Sequence, residues 1–124
     1  MIVYFDGGCK PNPGKMEIGL VFVGDDGTKV NHKEHLGRGT NNQAEWLALI
    51  VGLSMLSEMG VREITMIGDS QLVCMQASGK WKMKLDSPLY HFWAEFKELE
   101  KLFTKIEIKH VLRDKNLAGI MLEQ

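Results

Sequence analysis

The chain has 124 residues, 44% hydrophobic and 25% charged, with 15 Lys and Arg against 16 Asp and Glu for a net charge of -1. That fits one globular domain over residues 1–124, since a chain of this length buries roughly two thirds of its unfolded surface, and it excludes capture of nucleic acid or membrane by bulk charge while leaving room for a local basic patch. No apolar run approaches the about 20 residues of a membrane span and MIVYFDGG lacks a signal-like basic flank, so a cytoplasmic protein is expected.

MIVYFD is a short apolar run that stops at a turn signal, and MEIGLVFVGDDGT is a second β-rich run closed by GDDG, a hairpin-type turn. KVNHKEHLGRG alternates weakly and carries lysines, as suits an exposed edge strand, so three antiparallel strands open the chain. TNNQAEWLALIVGLSMLSEMG begins with Thr40 three residues ahead of Gln43, a capping-box spacing, and ends at Gly60, a C-cap signal, with a long apolar helix between. VREITMIGDS predicts a strand running into a second helix, QLVCMQASG. SPLYHFWAEFKELEKLF predicts a third helix, with Pro88 near its first turn and Leu89, Phe92, Trp93, Phe96, Leu99 and Leu102 facing the core. TKIEIKHV alternates as a strand, and RDKNLAGIMLEQ ends in a short helix. The order βββαβααβα implies an α/β fold with a mixed sheet flanked by helices, its last two strands joined by a parallel crossover. Cys9 and Cys74 are too few for a disulfide scaffold and lack metal-ligand spacing, so both are expected to be reduced thiols.

Three acids sit where a core would not ask for them. Asp6 ends IVYF, Glu45 interrupts AEWLALIV, and Asp69 follows ITMIG. Each has an ordinary explanation: a turn for Asp6, an acid in the first turn of a helix for Glu45, and an N-cap for Asp69. Their combination is less easily dismissed, because clustered carboxylates at a core edge shift their pKa values or hold a cation. Oxygen-only ligands suit Mg²⁺ or Mn²⁺, and such an ion on carboxylates suits phosphodiester chemistry.

Polar groups fitted to a sugar-phosphate partner surround them. KPNPG offers Lys10 and Asn12 on a proline-stiffened loop, and TNNQ offers Thr40, Asn41, Asn42 and Gln43 at a helix N-terminus, an anion-favouring place; capping and turn chemistry explain the same residues. GKWKMK sets Trp81 among Lys80, Lys82 and Lys84, which reads equally as a nucleic-acid contact and as a solvated loop anchored by its tryptophan.

In order and at suitable spacing, YFDGGCKPNPG, TNNQAEWLALIVGL, IGDSQLVCMQASGKWK and IKHVLRDKN resemble the successive motifs of type 1 ribonuclease H over nearly the whole chain. The resemblance implies a five-stranded mixed sheet, three strands antiparallel and two parallel, and Mg²⁺-dependent cleavage of the RNA strand of RNA–DNA hybrids by four carboxylates holding two metals, with Mn²⁺ as an alternative ion. It implies that Asp6, Glu45 and Asp69 are three of those ligands, with Asp6 bridging the metals. It also implies that Asn12, Asn41 and Gln43 meet the RNA strand, whose 2′-hydroxyls distinguish hybrid from DNA duplex, while Trp81 lies by the DNA strand; Lys10, Lys80, Lys82 and Lys84 are expected to neutralise phosphates. The basic protrusion of some members is absent, and the partner is expected to be an RNA–DNA hybrid bound by a monomer.

One departure stands out. The family typically reads N..AD.LA in the last helix, whereas NLAGIML carries no acid; the resemblance is read with Gly119 at the fourth carboxylate, one residue closer to Asn116 than the family spacing. A glycine inside a helix costs about 1 kcal/mol against alanine, so the residue needs a reason. The loop histidine of many bacterial members also has no match, since His110 falls on a strand. Glu123, one turn further along, is a candidate substitute ligand, and Asp114 a weaker one. The sequence therefore leaves open a hybrid-specific endoribonuclease, weakened or rescued, a non-catalytic hybrid-binding module that keeps the fold, and an inactivated variant of an active enzyme.

Overall fold

The computed structural model describes all 124 residues, Met1–Gln124. Its elements are β1 (Ile2–Cys9), β2 (Gly14–Val23), β3 (Lys29–Gly39), α1 (Asn41–Glu58), β4 (Glu63–Gly68), α2 (Gln71–Ala77), α3 (Tyr90–Glu100), β5 (Lys105–His110) and α4 (Leu117–Leu122), with a 3-10 turn at Arg113–Lys115. The five strands form one sheet in the order β3-β2-β1-β4-β5. β1 pairs antiparallel with β2, and β2 with β3, while β1 to β4 and β4 to β5 are parallel. The expected mixed sheet, its order of elements and the lysine-bearing edge strand are all present.

Strand alternation assigns the two faces. Val3 and Phe5 of β1, Ile18, Leu20 and Phe22 of β2, and Ile64 and Met66 of β4 enter one core with Trp46, Leu49, Leu53 and Leu56 of α1 and Phe92 and Phe96 of α3. Trp46 is fully buried, meets Phe96 edge to face at 5.9 Å, and donates from Nε1 to Gln76 Oε1 at 3.1 Å, so its one polar atom is satisfied. The opposite face of β1 and β2 is covered by α4, which packs so closely that a Cβ at Gly19 would meet Leu122 Cγ at 2.8 Å. No helix is long and apolar enough to cross a membrane.

Helix ends follow the sequence signals with three local differences. Thr40 caps α1 in a complete capping box with Gln43, and Gly60 follows the helix with φ of 79°. Glu45, however, is the fifth residue of α1, beyond the first turn, so the helix dipole does not account for it. The cap of α2 is Ser70, whose hydroxyl accepts from Val73 N at 3.2 Å, and Asp69 is thereby free of the N-cap role. Leu102 lies past the end of α3 and is 47% exposed, because the helical period that would have turned it inward has already stopped.

Candidate active site

The register of the two parallel strands sets the first two acids side by side. Phe5 pairs with Gly68, so one step further along both strands brings Asp6 next to Asp69. Gly68 permits this pairing, since a Cβ there would strike the Phe5 ring. Glu45 arrives from α1, and Gly7 admits it: a side chain at Gly7 would land on the Ala44 carbonyl, so only glycine lets the helix come this near. Glu45 Oε1 accepts from the Gly7 backbone N–H. The three carboxylates place one oxygen each within 4.8 Å of one another.

Asp6 and Glu45 are buried. Burial pushes the Glu45 carboxyl well above the usual range, and its hydrogen bond and repulsion with Asp6 add to this. Burial likewise raises Asp6, with Asp69 adding to the rise while the Glu45 hydrogen bond and the Arg113 charge oppose it. Asp69 Oδ2 is buried without any hydrogen-bond partner. An orphaned carboxylate oxygen beside two acids whose ionisation burial disfavours is an arrangement a divalent cation would satisfy, and three oxygen donors fit Mg²⁺ or Mn²⁺. Behind the site, burial pushes the Cys74 thiol up to about 12, with Glu45 and Asp69 adding to it, so this cysteine is an inert packing group. Both cysteines are free and buried.

The acids line a cleft of about 720 Å³ that also takes in Lys10, Lys15, Asn41, Arg113 and Glu123. Of the expected polar residues Asn41 lines this cleft, and it and its neighbours are held by backbone donors. Asn41 Oδ1 accepts from Cys9 N at 2.9 Å, Asn12 Oδ1 accepts from Asn41 N at 3.1 Å, and Gln43 Oε1 accepts from Thr40 N at 2.9 Å. Because each oxygen faces a backbone donor, each amide NH2 is left without a protein partner. Asn12, Asn41, Gln43 and Thr40 share a second, adjoining groove with Pro88 and Leu89. Trp81 is 42% exposed, and Met83, at 8%, is what anchors its segment. The tryptophan is therefore not the anchor of the loop.

A family model described as reverse transcriptase-like matches residues 4–122. The crystal structure of RNase H1 from the halophilic archaeon Halobacterium salinarum superposes with a TM-score of 0.89 at 38% identity, covering 98% of this chain and 92% of that one. This chain belongs to the type 1 ribonuclease H family. It is also similar to LC11-RNase H1, solved in complex with an RNA/DNA hybrid, with a TM-score of 0.87 and 30% identity over 98% of this chain and 91% of that one. Among curated proteins it is 40% identical to the ribonuclease HI of H. salinarum over 91% of its own length, and 35% identical to a bifunctional protein of Mycobacterium tuberculosis over 94%. It spans 57% of the first of these proteins and 32% of the second.

Within this ribonuclease H fold, α4 carries the departure. A Cβ at Gly119 would meet Asp6 Oδ2 at 3.3 Å and Asp69 Oδ2 at 3.5 Å, so this helix position points straight at the acids. The helix is held there by Asn116, which is fully buried. Its Nδ2 donates to Phe5 O at 2.9 Å and its Oδ1 accepts from Ala118 N at 3.1 Å, tying α4 to the strand that bears Asp6. Asn116→Ala leaves a buried carbonyl and a buried N–H unpaired and is expected to destabilise the fold by about 2–3 kcal/mol, read as a lower urea midpoint at unchanged slope. Sequence reasoning assigned no role to Asn116 or to Arg113. Both residues stand inside the IKHVLRDKN block, which marked them only as part of a motif. Glu123, the suggested substitute ligand, lines the cleft but gives Oε1 to Arg113 Nε at 3.2 Å and Nη2 at 3.0 Å. Asp114 does not line the cleft. His110, at the end of β5, bonds through Nε2 to the Asp69 carbonyl at 3.3 Å, a structural contact.

The raised carboxyls predict a sign for pH dependence. The folded protein binds more protons than the unfolded chain between the ordinary carboxylate range and the raised values, so without metal its stability falls as pH rises through that window. A divalent ion binds the ionised acids, so its stabilisation grows in the same direction. Thermal melts with and without Mn²⁺ across that window are expected to diverge as pH rises, reaching about 2.7 kcal/mol of added stability at a hundredfold excess over Kd. A Mn²⁺ effect independent of pH would contradict this.

Proposed function

We propose that this chain is a single-domain, monomeric, cytoplasmic endoribonuclease that hydrolyses the RNA strand of RNA–DNA hybrids, using Mg²⁺ or Mn²⁺ held by Asp6, Glu45 and Asp69. The observation that carries this reading is the convergence of the three carboxylates, one with an orphaned oxygen, in a cleft that shares Asn41 with a second groove presenting the unpartnered amides of Asn12 and Gln43. A bound ion would supply Lewis-acid charge at the phosphate being cleaved. The chain's own residues bind and orient the hybrid. The free NH2 groups of Asn12, Asn41 and Gln43 donate to 2′-hydroxyls and base edges of the RNA strand, a discrimination that DNA duplex cannot satisfy. Lys10 neutralises a phosphate of that strand, and Trp81, among Lys80, Lys82 and Lys84, receives the DNA strand. The solved relative bound to an RNA/DNA hybrid supports the same partner.

Gly119 favours a second reading, a hybrid-binding module without catalysis, because the α4 wall offers no carboxylate where one would reach the other acids. Glu123 serves as a substitute ligand only when it exchanges Arg113 for the ion. Incubation of a labelled RNA–DNA hybrid with Mg²⁺ or Mn²⁺, against a chelator control, separates the readings. Metal-dependent cleavage of the RNA strand supports the nuclease, and tight hybrid binding with no cleavage in either ion supports the module.

A further inference from the structure

Arg113 is the one cation that lines the acid cleft from the segment after β5. Lys10 and Lys15 come from β1–β2, and the other residues of that last segment in the cleft are Leu122 and Glu123. Its guanidinium converges two donors, Nε at 3.2 Å and Nη2 at 3.0 Å, on the single oxygen Oε1 of Glu123, and Nη1 has no protein acceptor. The two side chains are 65% and 56% exposed, so their ion pair is weak and readily exchanged. The same guanidinium is felt at the acid cluster, where it opposes the rise of Asp6 and is itself favoured by Asp6 and Asp69.

We infer that Arg113 is a substrate ligand, parked on Glu123 in the free protein and passed to a phosphate oxygen of the nucleic-acid strand that enters the cleft beside Asp6 and Asp69. This rests on the hybrid-binding reading above, and it adds a residue and an exchange to it. Two features support the exchange. A guanidinium fork that grips one carboxylate oxygen with two donors presents the same geometry to a phosphate oxygen. A polyanion approaching three carboxylates also needs a fixed positive charge on that side, and no other side chain of the α4 wall supplies one. Glu123 acts as the placeholder: it holds the fork oriented and gives way to an anion.

The test is equilibrium binding of a labelled RNA–DNA hybrid in EDTA over a series of NaCl concentrations, so that cleavage plays no part. The proteins are the unmodified chain, Arg113→Ala, Arg113→Lys and Glu123→Gln, with a thermal melt of each. Arg113→Ala is expected to weaken binding about tenfold and to lower the slope of log K against log salt by about 0.9, the share of one phosphate. Arg113→Lys keeps the slope and recovers part of the affinity. Glu123→Gln removes the competitor and tightens binding by about two- to fivefold. If Arg113→Ala and Glu123→Gln weaken binding alike, or change only the melting temperature, the pair is a brace for α4 and the inference fails. If the unmodified chain binds no hybrid, it is the functional reading that fails.

Discussion

Asp6→Asn is expected to abolish metal-dependent cleavage of an RNA–DNA hybrid, by on the order of 10³-fold or more, while raising the melting temperature of the metal-free protein. The first effect follows from position. Asp6 shares the acid group with Glu45 from the helix and Asp69 from just past the neighbouring strand, one oxygen of each lying within 4.8 Å of the others. Loss of the ion's charge at the phosphate removes several kcal/mol of stabilisation, and each 1.36 kcal/mol is about tenfold in rate. The second effect follows from electrostatics. Asparagine keeps the size of the side chain and an oxygen that can accept from Glu45, but it removes a buried charge that burial and Asp69 both oppose. Cleavage assays paired with melts in EDTA check both. A variant that loses activity and stability together would mean that Asp6 is a structural residue, and the metal reading of the cluster would fall with it.

Gly119→Asp is expected to tighten binding of Mn²⁺ or Mg²⁺ about tenfold or more, to increase hybrid cleavage, and to lower metal-free stability. The would-be Cβ lies 3.3 Å from Asp6 Oδ2 and 3.5 Å from Asp69 Oδ2, so a carboxylate built on it is within reach of the acid cluster. Without an ion it brings one more like charge into a partly buried group, whereas with an ion it adds a ligand. The first distance is short for a Cβ contact, and α4 must ease outward by a few tenths of an ångström. Asn116 sets the limit to that movement, because its two hydrogen bonds span helix and strand. Calorimetric titration with Mn²⁺ and a melt in EDTA give the two readouts. Unchanged ion affinity would show that the cluster already has the ligands it needs. A gain in cleavage would identify the glycine as what restrains the site.

The fold was legible because its signals are local and agree with one another. Apolar runs bounded by GDDG and GGCKPNPG, the Thr40 and Gln43 spacing, and the terminal Gly60 each fix an element through backbone and side-chain preferences that act over a few residues. The acids were legible as anomalies, since carboxylates beside IVYF, WLALIV and ITMIG have no ordinary reason to be there. What misled were residues with two local explanations. Asp69 reads as an N-cap until Ser70 is seen to take that role, and Trp81 reads as an anchor until Met83 is found buried beneath its loop.

By itself the sequence determined the order of the strands and helices, the family, and the residues that could form a metal site, because periodicity, capping and motif spacing are properties of the chain in one dimension. Only the tertiary structure decided which of those residues meet. Strand register sets Asp6 beside Asp69, the missing Cβ of Gly7 lets Glu45 in, and the buried Asn116 aims Gly119 at all of them. Arg113 and Glu123, ten residues apart, find each other and the cleft for the same reason. Contacts of this kind depend on how far one backbone can approach another, and that distance is fixed by the packing of the whole sheet and its helices.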